Sequence, residues 1–183
     1  MKAFTLWLTG LSGAGKTTLA KLIDLELSHQ GIRVQLLDGD ELRLYLSQDL
    51  GFSKDHRIIN AYRIAYVAQL LNRNDVNVIV ASISPYQQIR DELRNKIDNY
   101  HEIYVKCSID RCIQRDVKGL YRKAIDGQIP NFTGISDIYE EPGAPDHVID
   151  TENQNIDECT RSIIDYLENK GLLLSSDRIL GGV

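Results

Sequence analysis

The chain has 183 residues, 43% hydrophobic and 26% charged, with a formal net charge of −5. That length and balance suit one soluble globular domain, with enough apolar material for a buried sheet covered by helices on both faces. The acidic balance speaks against a nucleic-acid partner, which calls for a basic face. Cys107, Cys112 and Cys159 are odd in number and fit neither zinc-site spacing nor a disulfide framework, so they read as reduced thiols. A redox pairing of Cys107 with Cys112 is the alternative. The opening MKAFTLWLTG runs straight into a motif with no secretory leader, and no apolar run reaches membrane-spanning length. The expectation is a cytoplasmic protein with no membrane partner.

In chain order, Phe4–Thr9 is a short apolar run ending in glycines and reads as the first strand. Lys16–Gln30 follows, with Leu19, Leu22, Ile23 and Leu27 at helical spacing, and Gly31 can stop it. Val34–Leu37 is a second buried strand. Arg57–Asn74 carries Ile64, Val67, Ala68 and Leu71 on one helical stripe. Val76–Ile83, the most β-branched run, reads as a central strand, and Tyr86–Ile97 as a helix. Glu102–Cys107 is a fourth strand, Val148–Ile149 a short fifth, and Ile156–Asn169 a closing helix. Strands alternating with helices imply parallel pairing, because each crossover must span the sheet. The expectation is a doubly wound α/β domain over residues 1–174. Val117–Pro145 breaks the rhythm; it is rich in Gly, Pro, Lys and Asp without a clean period, which suits a mobile lid over about 117–145. The tail 175–183 is expected to fray.

The strongest chemical signal is Gly10-Leu11-Ser12-Gly13-Ala14-Gly15-Lys16-Thr17, a full G-x-x-x-x-G-K-[ST] between strand and helix. Its glycines let backbone N–H groups turn toward phosphate oxygens, and the next helix adds its positive end. Lys16 reaches the β- and γ-phosphates, and the Thr17 hydroxyl can ligate magnesium. A guanine-nucleotide switch is the rival reading: Asn95-Lys96-Ile97-Asp98 matches N-K-x-D and Asp116-Val117-Lys118-Gly119 matches D-x-x-G. Their order is reversed for such a switch, and Asn95–Asp98 ends a polar helix.

After the second strand comes Leu37-Asp38-Gly39-Asp40-Glu41-Leu42-Arg43. Ligands of open α/β sheets bind at the carboxyl ends of strands. There Asp40 can orient an acceptor hydroxyl, take its proton and help hold magnesium. The Arg43 fork suits an anionic acceptor. The bland alternative makes Asp40 an N-cap for the next helix.

At this point the chain resembles the adenylyl-sulfate kinases, from Leu6 to Thr151. The resemblance rests on GLSGAGKTT, LDGDELR, DLGFSKDHR with Asn60, SISPY, and RDVKGLY with NFTGISDIYEEP, in that order. The FTGI and YE-x-P elements discriminate most, since general small-molecule kinases share only the phosphate loop. The resemblance implies a P-loop kinase fold, magnesium, transfer from ATP to the 3′-hydroxyl of adenylyl sulfate, and a homodimer. It places ATP on Gly10, Ser12, Gly13, Ala14, Gly15, Lys16, Thr17 and Thr18, with Arg115. Arg43, Arg57 and Asn60 hold the phosphosulfate and ribose side of the acceptor, and Phe52 and Phe132 clamp its adenine. Asp38, Asp40, Ile83, Ser84, Lys118, Gly119 and Leu120 complete the acceptor site. Lys16, Asp40 and Ser84 are the catalytic candidates, and Thr17 and Asp40 the metal candidates. Arg115, Lys118 and Lys123 read as lid cations, with a solvated charge cluster as the alternative. Two core phenylalanines are the alternative to the clamp, and a ligand contact or helix cap the alternative for Ser84.

The chain departs from the pattern at several positions. Tyr62 precedes Arg63 where relatives have paired arginines, His56 replaces an aspartate, and Ile125 and Pro130 replace lid cations. These losses of charge keep a second acceptor open, such as a cytidine nucleotide bearing a phosphoramidate. A nucleotide-binding module without catalysis is the remoter alternative, opposed by Lys16, Thr17 and Asp40.

Overall fold

A computed structural model of the protein describes residues 2–173. The elements are β1 (Thr5–Thr9), α1 (Lys16–His29), β2 (Val34–Asp38), α2 (Gly39–Leu46), α3 (Lys54–Asn72), β3 (Asn77–Ala81), α4 (Gln87–Lys96), β4 (Tyr100–Lys106), α5 (Ile109–Arg115), α6 (Leu120–Ile125), β5 (His147–Asp150) and α7 (Ile156–Asn169). The strands form one five-stranded sheet in the order β2-β3-β1-β4-β5, parallel throughout.

The strand alternation divides the apolar residues between two cores. On one face Leu6 and Leu8 of β1 and Ile79 and Ala81 of β3 pack with Leu19, Ile23 and Leu27 of α1 and Ile163 and Leu167 of α7. On the other, Trp7, Val78 and Val80 pack with Ala61, Ile64 and Ala68 of α3 and Ile89 and Leu93 of α4. Both faces of β1 are therefore buried, and each large side chain there is worth roughly 1.5–3 kcal/mol relative to exposure. This accounts for the continuous apolar run, which a half-solvated strand would not show.

The helix starts follow local chemistry. Ser53 caps α3 by accepting from the backbone of His56, so this helix begins three residues before the expected Arg57. Asn155 and Glu158 form a reciprocal capping box on α7. Asp38, and not Asp40, caps α2, accepting from the backbone N–H groups of Asp40 and Glu41. By contrast α1 has no side-chain cap, because Gly15 enters it from a left-handed conformation. Its first-turn N–H groups stay available to a ligand.

Several expectations change in the structure. The β-branched strand is interior, but β1 is the middle of the sheet. The segment 117–145 is not wholly irregular, since it contains α6, a helix of six residues too short to show a period. The short helices α2 and α5 also lack a readable period. Asn95–Asp98 lies at the end of α4, just ahead of β4, where Asp98 pairs with the exposed Lys2 at 2.8 Å. That is the edge of the sheet opposite the carboxyl ends of the strands, so these residues cannot read a base at the phosphate loop. The expected tail, 175–183, lies outside the described residues.

Candidate active site

The loops that leave β1, β2 and β3 converge on one cleft of about 380 Å³. Its floor is the phosphate loop. A Cβ at Gly10 would stand 2.4 Å from the carbonyl oxygen of Val105, so the close approach of this turn to β4 demands glycine. Ser12, Gly13, Gly15, Lys16, Thr17 and Thr18 line the cleft, whereas Gly10 and the fully buried Ala14, also expected at the ATP site, do not. Lys16 is 8% exposed and donates to the carbonyls of Gly10 at 2.9 Å and Leu11 at 2.7 Å. Burial pulls its ammonium down to about 8, against the opposing pull of Asp40.

The carboxyl end of β2 carries the acids. Thr17 Oγ1 donates to Asp38 Oδ2 at 2.7 Å. Asp40, two residues on, pairs instead with Lys118 of the lid at 2.5 Å and is largely exposed. A magnesium ion takes few protein oxygens and keeps water and phosphate as its remaining ligands. The Thr17 hydroxyl beside a carboxylate fits that donor set. The carboxylate in contact with Thr17 is Asp38, which the metal candidates drawn from sequence did not include.

The opposite wall is assembled from distant segments. The guanidinium carbons of Arg43 and Arg57 lie 4.6 Å and 5.5 Å from the ring centre of Phe52, which is 49% exposed. Arg43 donates to the Gly51 carbonyl at 2.8 Å, and Arg57 to those of Phe52 at 3.0 Å and Asn131 at 2.7 Å. Burial first, and then the charge of Arg57, hold Arg43 below its ordinary range against the pull of Asp40, while Arg57 itself pairs with Asp137 at 3.6 Å. Phe132 is nearly buried and meets Tyr121 edge-on at 5.0 Å. Asn60 Oδ1 and Thr133 Oγ1 are buried without a hydrogen-bond partner, and both residues line the cleft. Orphaned buried acceptors of this kind are costly unless a ligand or water meets them.

Ser84 sits past the end of β3 with φ +44°, a left-handed conformation costing about 1–3 kcal/mol for a non-glycine residue. Its Oγ accepts from the indole of Trp7 at 2.9 Å, which leaves the hydroxyl proton to be donated. The lid helix is fastened to the floor, because the Tyr121 hydroxyl donates to the Ser12 carbonyl at 2.9 Å.

The cleft thus brings together Asp38, Asp40, Arg43, Phe52, Arg57, Asn60, Ile83, Ser84, Lys118, Leu120 and Phe132. Gly119 stands behind the wall as the left-handed entry to α6. Arg115 does not line the cleft but reaches the phosphate loop, donating to the carbonyls of Thr151 at 2.5 Å and Gly13 at 3.4 Å. Lys123 is exposed away from the cleft. Sequence reasoning missed Thr133, Ser82 and Tyr86 as wall residues, although Thr133 lies inside the FTGI block. The substituted positions also fall outside the wall. The Tyr62 hydroxyl bonds Glu92 and its ring lies under Lys96, His56 accepts from the Gly51 backbone at 2.9 Å, and Ile125 and Pro130 are exposed. All three cysteines are free and buried, and burial pushes the Cys112 thiol up to about 12, which suppresses its thiolate.

A parallel sheet in this order, a phosphate loop on its middle strand and a wall carrying Arg43 and Arg57 opposite define a P-loop phosphotransferase. A sequence model of the family described as Adenylylsulphate kinase matches residues 2–150. A probable adenylyl-sulfate kinase of Pseudomonas aeruginosa is 51% identical over 161 residues, covering 88% of this chain and 75% of its own. The adenylyl-sulfate kinase of Halothermothrix orenii is 45% identical over 181 residues, 99% of this chain and 98% of its own. Among solved structures, the Mycobacterium tuberculosis APS kinase in complex with AMPPNP and APS superposes with a TM-score of 0.88 at 40% identity, over 91% of this chain and 98% of that one. The chain belongs to the adenylyl-sulfate kinase family.

Proposed function

We propose that this protein transfers the γ-phosphoryl group of ATP to the 3′-hydroxyl of adenylyl sulfate, giving 3′-phosphoadenylyl sulfate and ADP. The observation that carries the reading is the pair Arg43 and Arg57 around the half-exposed ring of Phe52, in the same cleft as the phosphate loop. A ring to stack on and two planar forks suit a nucleotide that bears an anionic group. The substituted positions support the same acceptor, because none of them lines the cleft.

In this reading Lys16 leaves its two loop carbonyls for the β- and γ-phosphates, and the uncapped start of α1 supplies backbone donors. Thr17 with Asp38 or Asp40 would hold magnesium, which when bound spreads the charge of the transferring phosphoryl group. Asp40 accepts the proton of the acceptor hydroxyl, and Lys118, already paired with it, carries positive charge from the lid to the phosphate. Ser84 donates its hydroxyl proton to the acceptor and is no nucleophile, since transfer runs in line. Phe52 and Phe132 are the two sides of the base clamp, and the orphaned Asn60 and Thr133 oxygens meet acceptor N–H or O–H groups.

No described helix is long and apolar enough to cross a membrane. The reading places the enzyme in the cytoplasm as a homodimer. A stripe of Ile59, Tyr66 and Leu70 exposed along α3, beside Leu44 and Tyr45 of α2, is an apolar face suited to a second copy.

The test is ADP release from ATP and magnesium, with adenylyl sulfate compared against a panel of cytidine and other nucleotides at low micromolar acceptor. Strong turnover confined to adenylyl sulfate is expected. A clear preference for a different nucleotide would keep the phosphotransfer chemistry and reject this acceptor.

A further inference from the structure

The YE-x-P block has no role in the chemistry above, yet it is bound tightly to the segment that holds Ser84. Glu140 donates its backbone N–H to the Pro85 carbonyl at 2.8 Å, and its carboxylate accepts from the Gln87 N–H at 2.6 Å, capping α4 where no cap of its own exists. The Tyr139 hydroxyl lies 3.1 Å from Thr9 Oγ1, which itself donates to the Ile83 carbonyl at 2.7 Å.

At the centre lies Arg90, fully buried on α4. Its ionic partner is Glu102, at 3.2 Å, but that contact lacks hydrogen-bond alignment, and Arg90 Nε and Glu102 Oε1 are otherwise unpartnered. The aligned hydrogen bonds of the guanidinium go elsewhere: to the Ser84 carbonyl at 2.7 Å, the Glu140 carbonyl at 2.6 Å and Gln87 Oε1 at 2.7 Å. A buried ion pair adds little net stability compared with apolar packing. Here its geometry serves two backbone carbonyls from segments more than fifty residues apart in sequence.

We infer that Arg90 is a positioning residue for the acceptor side of the reaction. It ties the Ser84 carbonyl to that of Glu140, and so holds the left-handed Ser84 backbone and its hydroxyl in place. The same bond gives the lid a carboxyl-terminal anchor at residues 139–140, beside the ties of Tyr86 to Asp137 at 2.6 Å and of Arg57 to the Asn131 carbonyl at 2.7 Å. The inference rests on the cleft being the acceptor site described above. Lysine cannot replace this arginine, because one ammonium cannot serve both carbonyls in the fork geometry.

Trp7 is the only tryptophan, and its indole donates to Ser84 Oγ, so its emission reports the placement of Ser84 without any substrate. The experiment compares wild type, Arg90→Lys and Arg94→Gln. Arg94 shares the buried network, pairing with Glu102 at 3.3 Å and Asp146 at 2.7 Å, but touches neither Ser84 nor Glu140. Arg90→Lys is expected to lower kcat/KM for the acceptor by about 10-fold or more, to leave the KM for ATP within about 2-fold, and to alter Trp7 emission. Arg94→Gln is expected to lower Tm and to keep wild-type acceptor kinetics, which are its readout because Arg94 lies over Tyr100, the neighbour of Trp7. A folded Arg90→Lys with wild-type acceptor kinetics and Trp7 emission would overturn the inference, as would equal losses for ATP and acceptor, or the same kinetic changes in Arg94→Gln. Should Arg90→Lys not fold, Arg90→Gln/Glu102→Gln leaves no orphan charge and is held to the same outcomes. Tyr139→Phe, which deletes one hydroxyl and keeps the ring, then tests the lid anchor by the same kinetic split. A wild type that ignores adenylyl sulfate rejects the acceptor reading alone, since Trp7 emission still tests the Arg90 tie.

Discussion

Lys16 is buried and rests on two carbonyls of its own loop, whereas Arg43 and Arg57 stand in a partly open wall beside the half-exposed Phe52. The donor half is one contiguous turn, completed locally by Gly10, Ala14 and the entry to α1. The acceptor half is gathered from α2, the segment before α3, α3 itself, the end of β3 and the lid, and it leaves Asn60 and Thr133 oxygens unpartnered. A universal ligand part, the triphosphate, can be met by backbone in a fixed local shape. A particular acceptor calls for side chains brought together from several elements of the fold.

The largest test of this contrast is Lys16→Ala, expected to cut kcat/KM by about 10³-fold for every acceptor with the fold intact by circular dichroism. A variant retaining full turnover would break the donor assignment. Asp40→Ala comes next, with kcat lowered about 10²-fold and ATP affinity unchanged. A pure loss of ATP binding would move Asp40 to the donor half. Phe132→Ala should weaken acceptor binding by roughly 1–3 kcal/mol with the ATP Kd preserved, as calorimetry can measure. An unchanged acceptor Kd would remove the clamp.

Smaller effects sharpen the same contrast. With the Lys16 ammonium lowered to about 8, about half of it is neutral in the free protein near that pH, while bound phosphate favours the charged form. ATP binding near pH 8 should therefore take up about half a proton, and near pH 6 almost none, read by titration calorimetry in buffers of different ionisation enthalpy. The unfolded chain keeps this proton up to about 10.5, so Lys16 makes the free protein gain stability as pH rises from about 8 toward that value. Ile125→Arg should change acceptor KM by less than about 2-fold, since Ile125 is 57% exposed and away from the wall. A larger gain would show that the lid closes far enough to bring position 125 into the site.

The alternation of apolar runs and helical stripes was enough to read the doubly wound α/β class and the phosphate loop from the residues, because both depend on near neighbours along the chain. The family followed from short blocks such as FTGI and YE-x-P. Three things waited for the tertiary structure. Asp38 rather than Asp40 meets Thr17, since the turn after β2 points alternate acids in different directions. Tyr62, His56, Ile125 and Pro130 lie off the wall, which no spacing along the chain reveals. Arg90, one more arginine on a polar helix by sequence, became the link between Ser84 and Glu140 only once α4 was laid against the sheet and the lid returned across it. Local order is written in neighbouring residues. Which distant groups face one another is decided by packing, where burial makes each polar contact count.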